Sequence, residues 1–300
     1  MKLVVIGLGR MGRGIARRLS AAGHTVGGYD PDPSARNSVG TYITLLDNYH
    51  EIHQFFGTER KLLWIMVPHT VVDDVLEHLL PLLSEGDVVV DGGNSHYLSS
   101  QARHHRLKEK GVYFLDVGVS GGVYGEEEGY CLMVGGEEDA FLWAEEVFRD
   151  LAYRGKGYAY LGPSGAGHYA KMVHNGIEYA MMEAIGEGFE LLKESPFRYD
   201  LAKVARLYNE GSVIRSWLME LTQKVFQEEG ELEDIQPYVE DTGEGRWTIL
   251  EAIQRGLPAP AIALALFMRF RSRQNNSFRD RLLAALRYQF GRHTPKRRDG

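Results

Sequence analysis

One segment of fifteen residues, KMVHNGIEYAMMEAI, concentrates side chains that can exchange protons with a polar ligand or hydrogen-bond to it. They are Lys171, His174, Asn175, Glu178 and Tyr179. Three- and four-residue spacing places them along a single stripe if the segment is a helix. The alternative is an ordinary solvated face, although such faces favour glutamate paired with lysine or arginine. The stripe by itself leaves both interpretations open, a functional face or an exposed one.

The composition is that of an ordinary globular protein. Its 300 residues are enough for about two domains, and 44% of them are apolar and 25% charged. The formal net charge of −7 argues against general nucleic-acid binding, and the single cysteine excludes an internal disulfide framework. No window approaches the roughly twenty apolar residues of a membrane span. We therefore expect a soluble, cytoplasmic protein with no nucleic-acid or membrane partner.

The chain opens with a nucleotide-binding pattern. An apolar run suited to a buried strand, residues 3–6, is followed by Gly7, Gly9 and Gly12 in the arrangement G-x-G-x-x-G. Helical periodicity comes next, and then a second strand that ends at Asp30. A strand before the glycines, a helix after them and an acid about twenty residues on are the context that makes this motif specific. The helix start supplies N–H groups to a pyrophosphate.

Asp30 favours NAD over NADP. A carboxylate at the end of the second strand accepts hydrogen bonds from the ribose hydroxyls and repels a 2′-phosphate. Arg36 is the residue that could still admit NADP. The predicted cofactor-binding residues are Gly7, Leu8, Gly9, Arg10, Met11, Gly12, Asp30, Val67, Pro68 and Asn94.

Further apolar strands at residues 61–68, 87–93 and 112–122 alternate with helical segments. This order predicts an α/β, doubly wound (Rossmann) parallel sheet with a ligand crevice at the carboxyl ends of its strands. The chain is then almost entirely helical, over residues 165–193, 200–227, 251–270 and 280–290. We expect two domains: a dinucleotide-binding domain over 1–163, and an all-α domain over 164–300 for substrate binding and oligomerisation.

Three motifs, DGGNSHY (91–97), GVSGG (118–122) and GHYAKMVHNGIEY (167–179), closely resemble 6-phosphogluconate dehydrogenase. GEGRWT (243–248) and FGRHTPKR (290–297) look like later segments of the same family, so the resemblance runs essentially end to end. The third motif is the most specific, because the first two are partly shared with the wider β-hydroxyacid dehydrogenases. The chain resembles a short form with a single helical unit.

The resemblance implies oxidative decarboxylation of 6-phosphogluconate by NAD(P)⁺, without a metal. It implies Lys171 as the general base at the C3 hydroxyl and Glu178 as the acid that protonates the enediol. A free lysine is a poor base at neutral pH, so burial or a cationic neighbour must lower its pKa. The substrate-binding residues carried over by motif are Asn94, Ser120, Gly121, Gly122, His174, Asn175, Tyr179, Arg246, Arg269, Arg287 and His293. Arg246 departs from the family, in which lysine is common at this place.

Two other functions remain open at this point. A β-hydroxyacid dehydrogenase acting on an unphosphorylated acid would share Lys171 and Ser120 but would not need the arginines. A non-catalytic NAD-binding protein would need neither Lys171 nor Glu178. The resemblance also implies a homodimer or homotetramer in which the basic tail of one subunit, with Arg287 and His293, completes the site of its neighbour.

Overall fold

The structure, a computed structural model, describes residues 1–291 of the chain. Its strands are β1 (Lys2–Ile6), β2 (Thr25–Tyr29), β3 (Thr44–Leu45), β4 (Leu62–Ile65), β5 (Val88–Asp91), β6 (Tyr113–Ser120), β7 (Cys131–Gly136) and β8 (Tyr158–Gly162). The helices between them are α1 (Arg10–Ala21), α2 (Pro33–Ser38), α3 (Glu51–Phe56), α4 (Val72–Leu79), α5 (Tyr97–Lys108), α6 (Gly125–Glu128), α7 (Glu138–Trp143) and α8 (Glu145–Leu151).

The strands form one sheet in the order β3-β2-β1-β4-β5-β6-β7-β8. All pairs from β3 to β6 are parallel, as the doubly wound prediction requires. The β6–β7 pair is antiparallel, and β8 then runs parallel to β7. Only residues 121–130 join β6 to β7, and a parallel crossover needs a dozen residues or more. A short return connection therefore reverses the direction of β7.

Apolar layers cover both faces of this sheet. Alternate residues of β1 point to opposite sides: Leu3 and Val5 pack with side chains of α1 and α8, while Val4 and Ile6 pack with side chains of α3 and α4. Burial on both faces explains why the strand sequences are continuous apolar runs rather than alternating ones. It also leaves the strand ends as the places where polar residues can gather.

The longest helix, α9 (Ala166–Lys193), follows β8. By its contacts the chain divides into two compact units, Met1–Asn175 and Gly176–Gly300, and this division falls within α9. The sequence placed the domain boundary between residues 163 and 164, before this helix begins, and that boundary stays a prediction. Within residues 1–291, no helix is both long enough and apolar enough to cross a membrane.

The second unit continues with α10 (Leu201–Asn209), α11 (Trp217–Glu229), α12 (Glu244–Gln254), α13 (Pro260–Ser272) and α14 (Phe278–Gly291). The single helix predicted over 200–227 is wrong, because residues 210–216 separate two helices. Gly211 has a φ of +84°, and the hydroxyl of Ser216 accepts from the backbone N–H of Met219 as the N-cap of α11. The helical stretch 251–270 is interrupted at GLPAP, as the glycine and prolines of this turn predict, with Gly256 at φ +65° and Pro260 in the first turn of α13.

Candidate active site

The turn between β1 and α1 is shaped to receive a phosphate group. Gly7 has a φ of +92°, and a methyl group there would lie 2.5 Å from the carbonyl oxygen of Met66. A methyl group on Gly12 would collide with the carbonyl oxygen of Gly7, whereas one on Gly9 would meet nothing within 4 Å. No side chain caps the start of α1, whose N-cap is Gly9. Backbone N–H groups at an open, uncapped helix start are a site for a pyrophosphate.

Asp30, at the end of β2, is held in place by backbone donors. One oxygen of its carboxylate accepts from the N–H of Leu8 at 2.7 Å, and the other accepts from the N–H of Asp32 at 2.9 Å. Arg36 donates to the carbonyl oxygen of Asp30 at 2.7 Å, and its guanidinium lies 3.9 Å from the exposed carboxylate of Asp47. Asp30, the acid expected to bind the ribose hydroxyls, is therefore held against the glycine turn.

The turn after β5 presents Asn94 to solvent. Asn94 is exposed, while Gly93 and Ser95 on either side of it are buried. The carboxylate of Asp91 organises the turn by accepting from the Gly93 N–H at 3.1 Å and from the Ser95 hydroxyl at 2.7 Å. A methyl group on Gly93 would lie 2.8 Å from the carbonyl oxygen of Val67. The turn that carries Asn94 thus packs directly on the loop that carries Val67.

Arg103, which no sequence motif indicated, lies in α5 and is only 5% exposed. Its guanidinium donates to the carboxylates of Asp91 and Asp73, to the Ser95 hydroxyl and to the carbonyl oxygen of His69. Asp91 itself gave a signal, since an acid that ends the apolar run VVVD needs a buried partner. That signal does not say which of the basic residues in the chain is the partner.

The start of α9 is fixed to the sheet through Asp116 of β6. This fully buried carboxylate accepts from the N–H of Gly165 at 2.7 Å and from the N–H of His168 at 2.9 Å. A methyl group on Gly118 would collide with Cβ of Lys171. The backbone of β6 therefore supports Lys171, which is 8% exposed. A lysine in such a place is substantially desolvated, as the proposed base requires.

Three of the predicted substrate-binding residues meet beside the end of β6. The Ser120 hydroxyl lies 3.3 Å from Nε2 of His174, and Nδ1 of His174 lies 3.0 Å from the amide oxygen of Asn175. An amide oxygen only accepts hydrogen bonds, so the contact with Asn175 is one in which Nδ1 of His174 donates. Gly121 and Gly122 follow with φ of +124° and +54°, and the space where a side chain of Gly122 would lie is open.

In the second unit, Tyr179 and Arg269 are in contact. The guanidinium carbon of Arg269 lies 3.5 Å from the centroid of the Tyr179 ring, and the arginine donates to the carbonyl oxygen of Glu240 at 2.6 Å. A methyl group on Gly245 would lie 2.6 Å from the same ring. Glu178, the proposed acid, is half-buried.

Arg246 is oriented by an acid of the same unit. Its Nε donates to Asp241 at 2.5 Å, and its guanidinium lies 4.9 Å from the centroid of the Phe270 ring. Half of the Arg246 side chain is exposed, whereas the Asp241 side chain is fully buried. Arg287 is exposed in α14. His293 lies outside the described residues.

The described part of the chain, up to residue 291, holds no group of three or more histidine, cysteine, aspartate or glutamate side chains that could bind a metal ion.

Comparison with protein families assigns both parts of the chain. Residues 2–162 match the NAD binding domain of 6-phosphogluconate dehydrogenase, and residues 167–299 match the 6-phosphogluconate dehydrogenase C-terminal domain.

Individual relatives agree with this result. An NAD⁺-dependent, decarboxylating 6-phosphogluconate dehydrogenase from Haloferax volcanii is 44% identical over the whole of both chains. A Bacillus subtilis protein of the same description is 37% identical, over 89% of this chain and 60% of its own length. The solved structure of 6-phosphogluconate dehydrogenase from Plasmodium falciparum superposes with a TM-score of 0.83 at 27% identity, covering all of this chain and 66% of that one.

Proposed function

Because the chain belongs to the 6-phosphogluconate dehydrogenase family and is an NAD(P)-dependent oxidoreductase, we propose that it converts 6-phospho-D-gluconate and NAD⁺ into D-ribulose 5-phosphate, CO₂ and NADH. NAD⁺ is the favoured acceptor and NADP⁺ the alternative. The two named relatives are described as NAD⁺-dependent and decarboxylating, which supports this choice. The Plasmodium falciparum enzyme, by contrast, has been solved in complex with NADP⁺ as its cofactor and in complex with 6-phosphogluconate as its substrate.

The contact between Arg269 and Tyr179 is the observation that favours a phosphorylated substrate. A sugar phosphate needs several donors, and arginine offers a planar set of them. Arg269 stacks on the ring of Tyr179, whose hydroxyl is a further donor. Arg246 follows Gly245, the glycine that packs against the same ring. Together these residues provide such a set of donors in one unit. An unphosphorylated hydroxy acid would have no use for these cations.

Lys171, which packs against β6, is the general base of the proposed reaction. In the proposed reaction Lys171 takes the C3 hydroxyl proton while hydride leaves C3 for the nicotinamide. The ammonium group so formed polarises the 3-keto oxygen, and the C1 carboxylate then leaves as CO₂. Glu178, seven residues further along α9, protonates the resulting enediol. No metal is needed, because the ammonium group stabilises the developing enolate.

Residues around β6 and β5 serve the acid end of the substrate in this proposal. Ser120, Gly121, Gly122 and Asn94 hold the carboxylate beside the nicotinamide, and His174 and Asn175 hold hydroxyls. The contacts of His174 with Ser120 and Asn175 support this grouping. Asp30 supports NAD⁺ in this proposal, since backbone donors hold both of its carboxylate oxygens at the end of β2, where an acid of this fold accepts from ribose hydroxyls.

The test uses purified protein with 6-phosphogluconate or gluconate, and with NAD⁺ or NADP⁺. Reduced nicotinamide is followed by absorbance, and CO₂ is measured in the same reaction. We expect one CO₂ per NADH with 6-phosphogluconate and negligible turnover of gluconate. Equal turnover of the two acids, or NADH without CO₂, would favour the β-hydroxyacid dehydrogenase instead. The non-catalytic alternative predicts dinucleotide binding with no turnover of either acid.

A further inference from the structure

Arg103 uses its full hydrogen-bonding capacity inside the first unit. A guanidinium group has five N–H donors, and Arg103 makes five contacts with them. Nε and Nη2 donate to the two oxygens of Asp73 at 2.7 and 3.0 Å, and Nη2 also donates to the carbonyl oxygen of His69 at 3.3 Å. Nη1 donates to Asp91 at 3.0 Å and to the Ser95 hydroxyl at 2.9 Å. Lysine has three donors on one nitrogen and cannot reproduce this arrangement.

These partners belong to two segments of the backbone. Asp91 and Ser95 belong to the turn that exposes Asn94, His69 lies in the loop after β4, and Asp73 lies in the first turn of α4. The loop and the turn also touch each other, since Gly93 packs on the carbonyl oxygen of Val67. One buried side chain therefore sets the spacing between the two backbone segments at the carboxyl ends of β4 and β5.

We propose that Arg103 is a positioning residue, which holds the Asn94 turn and the Val67–Pro68 loop at the separation required for the nicotinamide and the acid end of the substrate. This inference rests on the proposed function for the identity of the substrate. The role of Arg103 in holding the two segments together does not depend on the proposed function. Arg103 is buried beneath both segments and acts on ligands only through them.

Two substitutions test this role, each with a matched control. Arg103→Lys keeps the charge and removes the five-donor geometry; its control is Arg106→Lys, on the same helix, where Arg106 pairs with exposed Glu77. Asp73→Ala removes one partner of Arg103. The Asp73 side chain is 64% exposed, so this variant remains useful if Arg103→Lys does not fold. Its control is Asp74→Ala, in the same first turn of α4.

The measurements are KM for 6-phosphogluconate and for NAD⁺, kcat, Kd for NADH by fluorescence, and hydrogen exchange of the segments 66–73 and 91–97. We expect Arg103→Lys to lower kcat/KM on the order of 100-fold, with both KM values raised and faster exchange in both segments. Asp73→Ala should change the same quantities in the same direction by less. Both controls should stay within about twofold of wild type, as expected for exposed surface groups.

A merely structural role predicts a different pattern. Loss of folded protein lowers kcat per milligram but leaves KM and the NADH Kd of the folded fraction unchanged, and that pattern in both test variants would overturn the proposal. If wild-type protein binds NADH but does not oxidise 6-phosphogluconate, the proposed function fails. The NADH Kd and the exchange rates then still decide the role of Arg103.

Discussion

The guanidinium carbon of Arg269 lies 3.5 Å from the centre of the Tyr179 ring. This stacking restricts the orientation of the arginine and brings a phenol beside a cation in one small region.

Replacing Arg269 with methionine should raise KM for 6-phosphogluconate roughly 10- to 100-fold, the range expected when a hydrogen bond to a charged group is lost. KM for NAD⁺ should not change. Arg269→Lys should recover part of the loss, because charge returns without the planar donors. The control is Arg271→Met on the same helix, since Arg271 pairs with Asp280 instead. An unchanged KM for the sugar phosphate in Arg269→Met would remove Arg269 from the phosphate site.

Lys171→Met should abolish both oxidation and decarboxylation and leave NADH binding near wild type. One ammonium group is proposed to serve both steps, and general base catalysis alone contributes roughly 100- to 10,000-fold. Lys193→Met, near the end of the same helix, is the control, because Lys193 pairs with exposed Glu231. Activity of Lys171→Met within tenfold of wild type would be incompatible with its assignment as the base.

Asp30→Ala should lower kcat/KM for NAD⁺ and raise the efficiency with NADP⁺ relative to NAD⁺. The variant loses an acceptor for the ribose hydroxyls and a charge that repels a 2′-phosphate. Arg36, which donates to the Asp30 carbonyl oxygen, is the cation that we expect to bind that phosphate. Asp32→Ala is the control. If the preference between the two cofactors does not move, discrimination lies elsewhere and Arg36 is the next residue to replace.

The Arg103–Asp73 contact should make stability depend on pH in the acid range. The hydrogen bond from Arg103 holds the pKa of Asp73 below its ordinary value of 3.8, and the charges of Arg103 and Arg106 act in the same direction against the effect of burial. A lowered folded-state pKa gives stability that is present above the unfolded value and lost as pH falls through the folded value. The difference in free energy of unfolding between wild type and Asp73→Ala should therefore be constant near pH 7 and shrink below about pH 4. A difference that does not vary with pH would contradict this linkage.

A further prediction concerns the basic tail. We hypothesise a homo-oligomer in which Arg287 and His293 of one subunit complete the site of another. Deleting residues 287–300 should raise KM for 6-phosphogluconate strongly while NADH still binds.

Joint refolding of Lys171→Met with Arg287→Ala/His293→Ala gives the sharper result. Random pairing into dimers should restore about a quarter of wild-type activity, because half of the dimers are mixed and each of these has one intact site. No recovery in demonstrated mixed oligomers would mean that each chain completes its own site.

Local patterns predicted the first βαβ unit well. This unit is predictable because the conformations of the glycine motif, of Asp30 and of the apolar strands depend on near neighbours in the sequence. The antiparallel direction of β7 was not predicted, because the run YCLMV reads the same in either direction and only the length of the preceding connection decides. The break at residues 210–216 was also missed, because apolar residues lie on both sides of Gly211 and a single glycine does not by itself end a predicted helix.

The candidate site was likewise predicted only in part. Motif resemblance identified residues that are proposed to face a ligand, such as Asn94 and Lys171, but not the residues beneath them. Arg103 lies in the polar segment QARHHRLK, which is typical of an exposed helix. Asp116 lies within an apolar strand and fixes the start of α9 from below. Contacts between segments far apart in the sequence define both roles, and no local pattern carries that information.

Lys171 groups with residues 1–175 although it lies on the helix that continues into the second unit. The proposed base therefore belongs to the dinucleotide-binding unit, whereas the proposed acid Glu178 and the proposed phosphate contacts belong to residues 176–300. Changes in residues 176–300 can then alter recognition of the phosphate without rebuilding the surroundings of the base. A chimera that joins residues 1–175 to the helical part of another dehydrogenase would keep the base Lys171 of this chain and would take the protonating acid and the phosphate contacts from the other parent.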